Sequence, residues 1–215
     1  MTKYETIVRE RMAALGSRNP RPGSTDKCLQ FASEMAWLAP FVDELQPKVI
    51  VEIGIYKAGW PYVLAPWFAP GAHIIGIDSM QRHKQDDGGV ELDETIEELE
   101  ADGFKVDIIV GRSDDQETEY AAKALCPKPI WGSVDLLHID GDHTYAGASH
   151  DCRYYSPLVR RKGGLGRPGG LTVLHDIGTA TSQMNVKKLW EEIKDTYPGR
   201  THEFIEGPGI GIVEM

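Results

Sequence analysis

The sequence predicts an α/β fold: a mainly parallel, doubly wound sheet with helices on both faces and an antiparallel hairpin strand at its C-terminal end. Three observations lead there. Five short apolar runs recur along the chain: KVIVEIGI (48–55), HIIGID (73–78), KVDIIVG (105–111), VDLLHID (134–140) and GLTVLHDI (170–177). Segments with helical patterning separate them, at 90–103, 114–125, 145–161 and 183–197. The final stretch, THEFIEGPGIGIVEM (201–215), offers two short strands around EGPG with no helix between them. Strands alternating with helices mark βαβ units and a parallel sheet, and near-continuous apolar strands fit a sheet covered on both faces. Two strands joined without a helix pair antiparallel.

The N-terminal part precedes this rhythm. MTKYETIVRERMAALG is charged and lacks an apolar core segment, so it does not read as a signal peptide. Residues 17–26, SRNPRPGSTD, read as a loop after a short N-terminal helix. Phe31, Met35, Leu38, Val42 and Leu45 step by four and three along one helical face, which ends at Pro47. We therefore expect residues 1–30 to form a helical and loop extension, and 31–215 a single catalytic domain. The Gly-rich KGGLGRPGG (162–170) reads as a loop able to cover a site.

Composition narrows the function. The chain has 215 residues with a net charge of −10 and a pI of about 5.2. That is enough chain for a full core without staples. It argues against a general nucleic-acid partner, since phosphate backbones call for an excess of Lys and Arg. No stretch approaches the roughly 18 apolar residues of a membrane span. Cys28, Cys126 and Cys152 are odd in number and show no CxxC pairing, so a reducing compartment, the cytoplasm, is expected. Association with a second copy of the chain is left open.

In an open parallel sheet, ligands bind beyond the carboxyl ends of the strands. Acidic residues recur there: Glu52, Asp78, Asp114, Asp140, Asp142 and Asp176. The plain alternative for each is a turn or helix cap, but caps alone do not predict the recurrence. Gly54 and Gly59 bracket the first turn, in a pattern that is neither GxGxxG nor a GK[ST] phosphate loop. Asp78 ends the second strand 24 residues after Gly54, where an acid can accept hydrogen bonds from ribose hydroxyls.

Taken in order, VEIGIYKAGW, IIGID, VDLLHIDGDHTY and GGLTVLHDI resemble the class I S-adenosylmethionine-dependent methyltransferases, with their Rossmann-like fold. Within them the resemblance is greatest to the metal-dependent small-molecule O-methyltransferases of the macrocin, mycinamicin and cephalosporin-biosynthesis type, over roughly residues 30–215. The resemblance implies that Glu52, Gly54 and Gly59 line the methionine part of S-adenosylmethionine and that Asp78 holds its ribose. Gly111, Arg112, Ser113 and Asp114 would lie near the adenine. Asp140, at the site's centre, and Asp176 would hold Mg²⁺ or another divalent cation.

Asp142 is either a third ligand or a cap for the helix starting near Thr144. His143 is the candidate general base, three residues after Asp140, as in related enzymes. Histidine titrates near neutrality and suits proton abstraction from a hydroxyl. His138 reads as a buried structural histidine, and His175 as structural or beside the ligands. Tyr56, Trp60 and Tyr145 are wall or core residues.

Two departures stand out. Ile177 follows Asp176 where catechol-type enzymes carry Asn, and the loop before the fifth strand is longer than usual. The expected reaction is in-line attack of a small molecule's hydroxyl oxygen, of a sugar or natural-product-like acceptor, on the sulfonium methyl. The alternatives are an NAD-dependent oxidoreductase, which should show GxGxxG, and a metal-dependent hydrolase using Asp140, Asp142, His143 and Asp176 around two ions. A noncatalytic binding module is disfavoured by His143 beside the acids.

Overall fold

The structure, a computed structural model, describes residues 1–15, 28–81, 88–163, 168–181 and 184–215, with backbone alone for 88–90. The expected loop at 17–26, and residues 164–167 of the expected Gly-rich loop, lie outside the described residues.

The helices are α1 (Lys3–Ala14), α2 (Ala32–Leu45), α3 (Gly59–Phe68), α4 (Gly88–Ala101), α5 (Gln116–Leu125), α6 (Tyr145–Tyr155) and α7 (Val186–Thr196). The strands are β1 (Val49–Ile53), β2 (His73–Asp78), β3 (Lys105–Val110), β4 (Leu136–Ile139), β5 (Leu171–His175), β6 (Thr201–Phe204) and β7 (Ile210–Glu214). They form one seven-stranded sheet in the order β3-β2-β1-β4-β5-β7-β6. The first five strands are mutually parallel. β7 runs antiparallel to both β5 and β6, which gives the expected terminal hairpin. The chain winds outward from β1 to β3, then returns to build β4 and β5 on the other side. The reversal falls between β1 and β4, where a crevice opens in folds of this kind.

Alternation along the strands sorts two cores. Ile50, Ile74, Leu136 and Val173 face α1, α2, α3 and α4, while Val51, Ile53, Leu137 and Leu174 face α5, α6 and α7. The N-terminal helix is part of the first core, burying Ile7, Val8 and Met12 there. Its start is fixed by a capping box, with Glu5 N–H donating to Thr2 Oγ1 and Thr2 N–H to Glu5 Oε2.

Helix α3 was not legible in the sequence. Pro61 and Pro66 lie inside it, and proline normally ends a helix because it has no N–H to donate. The first sits in the opening turn, where no intrahelical donor is needed. The second frees the carbonyl four residues earlier, that of Tyr62. Arg11 of α1 takes that acceptor with two donors, Nε at 3.2 Å and a terminal guanidinium nitrogen at 3.0 Å. A tertiary contact thus replaces the lost helical bond.

Candidate active site

The carboxyl ends of β1 to β4 open onto a cleft of roughly 340 Å³. Its lining includes Gly54, Tyr56, Asp78, Gly111, Arg112, Ser113, Asp114, Asp140, Asp142 and His143. Most of the residues expected there are brought together. Gly54 has φ +85°, and a Cβ on it would lie 2.2 Å from the Asp140 carbonyl oxygen. Only glycine lets the ends of β1 and β4 approach this closely. At the end of β2, Asp78 Oδ2 accepts the Tyr56 N–H at 2.9 Å and Oδ1 accepts the Met80 N–H at 2.7 Å. The carboxylate ties two turns together and keeps lone pairs free to accept further hydrogen bonds. Beyond β3, Arg112 grips Asp114 with two parallel bonds of 2.8 and 2.9 Å, and the Ser113 carbonyl accepts the Tyr155 hydroxyl at 2.9 Å.

Two of the residues expected at the cofactor stand apart from the cleft lining. Neither Glu52 nor Gly59 lines the cleft. The side chain of Glu52 points into the first core, one step before the turn, and is fully buried. Its Oε1 lies 3.0 Å from Nδ1 of His138, and the His138 ring stacks on Trp60 at 4.5 Å. Burial, reinforced by Asp140 and Asp78, pushes the Glu52 carboxyl well above the usual carboxylate range. Burial also lowers His138 to about 4. The spacing is that of an ion pair, yet both shifts favour the uncharged form; we read a neutral hydrogen-bonded pair, because dry surroundings penalise both charges. Gly59 is buried as the first residue of α3. Of the three aromatic wall candidates, only Tyr56 faces the cleft; Trp60 is core, and Tyr145 donates its hydroxyl to Glu192 on the far side.

The ends of β4 and β5 carry a different arrangement. Asp140, His143 and Asp176 present ligand atoms within 4.8 Å of one another. His143 places Nδ1 at 3.0 Å from Asp176 Oδ2 and Nε2 at 3.4 Å from Asp140 Oδ1. Burial opposes charge on this imidazole, but the two carboxylates outweigh it and hold His143 up at about 8. Burial also works against the Asp140 carboxylate, and His175 and His143 reverse the balance, keeping it well below its ordinary value. Asp176 adopts a left-handed backbone, φ +61°, of the kind that persists where the surroundings impose it.

Asp142 stands outside this cluster. Its Oδ1 accepts the Thr144 N–H at 2.9 Å, and Thr144 Oγ1 in turn accepts the Gly147 N–H at 3.0 Å. The Asp142 side chain lies where a Cβ on Gly147 would stand, 2.3 Å from its Cγ. This geometry matches the helix-start alternative for Asp142.

Two residues that bear on the site, Glu34 and Gln30, were missed, and a third, His175, stands beside the expected ligands. His175 Nδ1 lies 3.3 Å from Asp140 Oδ1 and from Asp176 Oδ2, and its Nε2 lies 3.3 Å from Glu34 Oε2. Glu34, fully buried on α2, also accepts the N–H groups of Gly209 and Phe31, both at 2.9 Å. Gln30 donates to Asp140 Oδ2 at 2.5 Å. The signal for Glu34 was present: it is an acid on the same helical face as Phe31 and Leu38. An acid amid an apolar stripe needs a buried partner.

A parallel sheet with this order, its reversed terminal hairpin and a cleft over β1 and β4 defines the class I methyltransferase fold. The chain belongs to the methyltransferase-domain family, whose model matches residues 51–177. It is similar in structure to a Staphylococcus aureus protein with a provisional assignment as a caffeoyl-CoA O-methyltransferase, at TM-score 0.62 and 15% identity, covering 100% of this chain and 93% of that one. It is similar also to an O-methyltransferase from Bacillus cereus in complex with S-adenosylhomocysteine, at TM-score 0.56 and 15% identity, covering 99% and 90%. A third is TomG from Streptomyces achromogenes, an O-methyltransferase involved in tomaymycin synthesis and bound to S-adenosylmethionine, at TM-score 0.55 and 14% identity, covering 100% and 90%. A comparison with curated protein sequences finds no match. No helix among the described residues is long and apolar enough to cross a membrane.

Proposed function

We propose that this protein transfers the methyl group of S-adenosylmethionine to a hydroxyl of a small molecule, a sugar or natural-product-like acceptor, with His143 as general base. One observation carries the reading. His143 lines the same cleft as Gly54, Asp78 and Ser113, and two carboxylates flank its ring. When bound, S-adenosylmethionine supplies a sulfonium-activated methyl group that must be approached in line. The protein's task is then to position an acceptor oxygen and remove its proton, and positioning alone can supply a large part of the barrier reduction.

The residues present fit the cofactor. Asp78 would hold the ribose hydroxyls, with Gly54 at the methionine end and Gly111, Arg112, Ser113 and Asp114 near the adenine. Asp176, 3.0 Å from Nδ1, and Asp140, 3.4 Å from Nε2, would orient the ring, and His143 in its neutral form would take the acceptor's proton. Asp140 and Asp176 then stabilise the imidazolium that forms. The same carboxylates fit a divalent cation, because their oxygens and a ring nitrogen of His143 lie within 4.8 Å of one another. Such an ion, Mg²⁺ or another dication, would lower the pKa of an acceptor hydroxyl. The cysteines are unbridged, as suits the cytoplasm.

The family match speaks against the hydrolase alternative. The test is transfer from labelled S-adenosylmethionine to a panel of sugars and hydroxylated natural products. His143→Gln should lower kcat by about 10²–10⁴ while leaving S-adenosylhomocysteine affinity within a few-fold. Undiminished turnover in the variant would remove His143 from the mechanism.

A further inference from the structure

We propose that His175 is itself a metal ligand, and that Asp140 Oδ1, Asp176 Oδ2 and His175 Nδ1 form a site selecting a transition-metal dication, such as Mn²⁺, Fe²⁺, Co²⁺ or Zn²⁺, over Mg²⁺. The inference rests on the reading of Asp140 and Asp176 as cation-binding acids and deepens it.

Three observations on the ring carry it. His175 is 6% exposed, and its Nδ1 has no hydrogen-bond partner of acceptable geometry, yet it faces two carboxylate oxygens at 3.3 Å each. That spacing matches donors around an ion. With bonds of about 2.1 Å, neighbouring donors lie about 3.0 Å apart in an octahedral shell and about 3.4 Å apart in a tetrahedral one. On the other side of the ring, Nε2 faces Glu34 at 3.3 Å. Glu34 is pinned by the N–H groups of Phe31 and Gly209 and cannot turn away. A carboxylate at Nε2 takes that N–H and leaves the Nδ1 lone pair exposed to the two acids. A carboxylate, a histidine and a metal in this order form a recurrent arrangement, in which the outer acid fixes the tautomer and orients the ring.

The site also supplies the donor that Asp142 does not. With one imidazole in the set, the chemistry departs from the all-oxygen shells that Mg²⁺ favours, toward ions that accept nitrogen. His143, on the cleft side of the cluster, is left for the acceptor's proton.

The test uses the full chain, stripped with chelator and reloaded with Mn²⁺ or Mg²⁺ alone. Mn²⁺ should bind at least about tenfold more tightly than Mg²⁺. Pulsed electron paramagnetic resonance of the bound Mn²⁺ should show nitrogen coupling from one imidazole. That coupling should vanish in His175→Asn, which offers an amide oxygen in place of the ring nitrogen, and persist in His143→Gln. The last variant decides the matter even if His175→Asn does not fold. No Mn²⁺ binding, binding without nitrogen coupling, or coupling lost in His143→Gln would each overturn the assignment. S-adenosylhomocysteine binding, measured on the same samples, keeps the two readings apart. Its absence counts against the methyltransferase site, and its presence without nitrogen coupling counts against His175 alone.

Discussion

The carboxyl edge of the sheet divides into two halves that use the same residue type in opposite ways. Over β1 to β3 the acids serve the backbone or each other's neighbours. Asp78 accepts two backbone N–H groups, and Asp114 is held by Arg112 at the surface. Over β4 and β5 the acids meet histidines in buried surroundings: Asp140 and Asp176 contact His143 and His175, and Glu34 closes the far side of His175. The first half is a template of backbone turns with lone pairs to spare. The second gathers carboxylates and imidazoles at short spacing, where we propose a base and a cation site. An acid at a strand end is therefore not a function by itself; what faces its oxygens decides which half of the reaction it serves.

Substitutions in each half should break this division in distinguishable ways. The largest effect is expected at β4. Asp140→Asn removes one carboxylate from His143 and His175 together, and should lower kcat by about 10²–10⁴ with S-adenosylhomocysteine affinity much less affected. Single-turnover methyl transfer beside calorimetry separates the two. Next, Asp78→Ala should weaken S-adenosylhomocysteine binding by about ten- to a hundredfold, the worth of a charged hydrogen-bond acceptor. Calorimetry checks it, and an unchanged Kd would take the ribose role from Asp78.

A smaller effect concerns pH in chelator-treated protein. His143 is raised from 6.5 to about 8 in the folded state. The stability this brings is present in full below pH 6.5 and disappears as pH rises through 8. The loss should be on the order of 1–2 kcal/mol. Urea midpoints at pH 6 and pH 9 measure it, and His143→Gln should flatten the difference. Least of all, Asp142→Ala should cost only about 1 kcal/mol, through the lost bond to the Thr144 N–H, and should leave cation affinity unchanged. A large loss of cation affinity would return Asp142 to the metal.

Much of this fold was legible because parallel strands covered on both faces read as unbroken apolar runs. β2 was bounded correctly at both ends, and β1, β3, β4 and β5 within two residues. The terminal hairpin followed from the absence of a helix around EGPG. Helix α3 was hidden because its prolines argue against a helix, and the compensating donors come from Arg11, far away in sequence. In the site, Gly54, Asp78, Asp140 and Asp176 were legible because they end strands, and strand ends converge. Glu52 stays out of the cleft lining because alternation turns its side chain into the core one residue before the edge. Glu34 escaped because its meaning is a contact between α2 and β5, across more than a hundred residues of chain. Periodicity and spacing report what is near in sequence, and a buried polar chain is built from what is near in space.

The central claim is that the half over β1 to β3 is a methyl-donor site. Isothermal titration of the wild-type chain with S-adenosylhomocysteine and, separately, with NAD tests it most directly. The account predicts saturable binding of S-adenosylhomocysteine at one site per chain and no binding heat from NAD. Saturable binding of NAD with none of S-adenosylhomocysteine would contradict it.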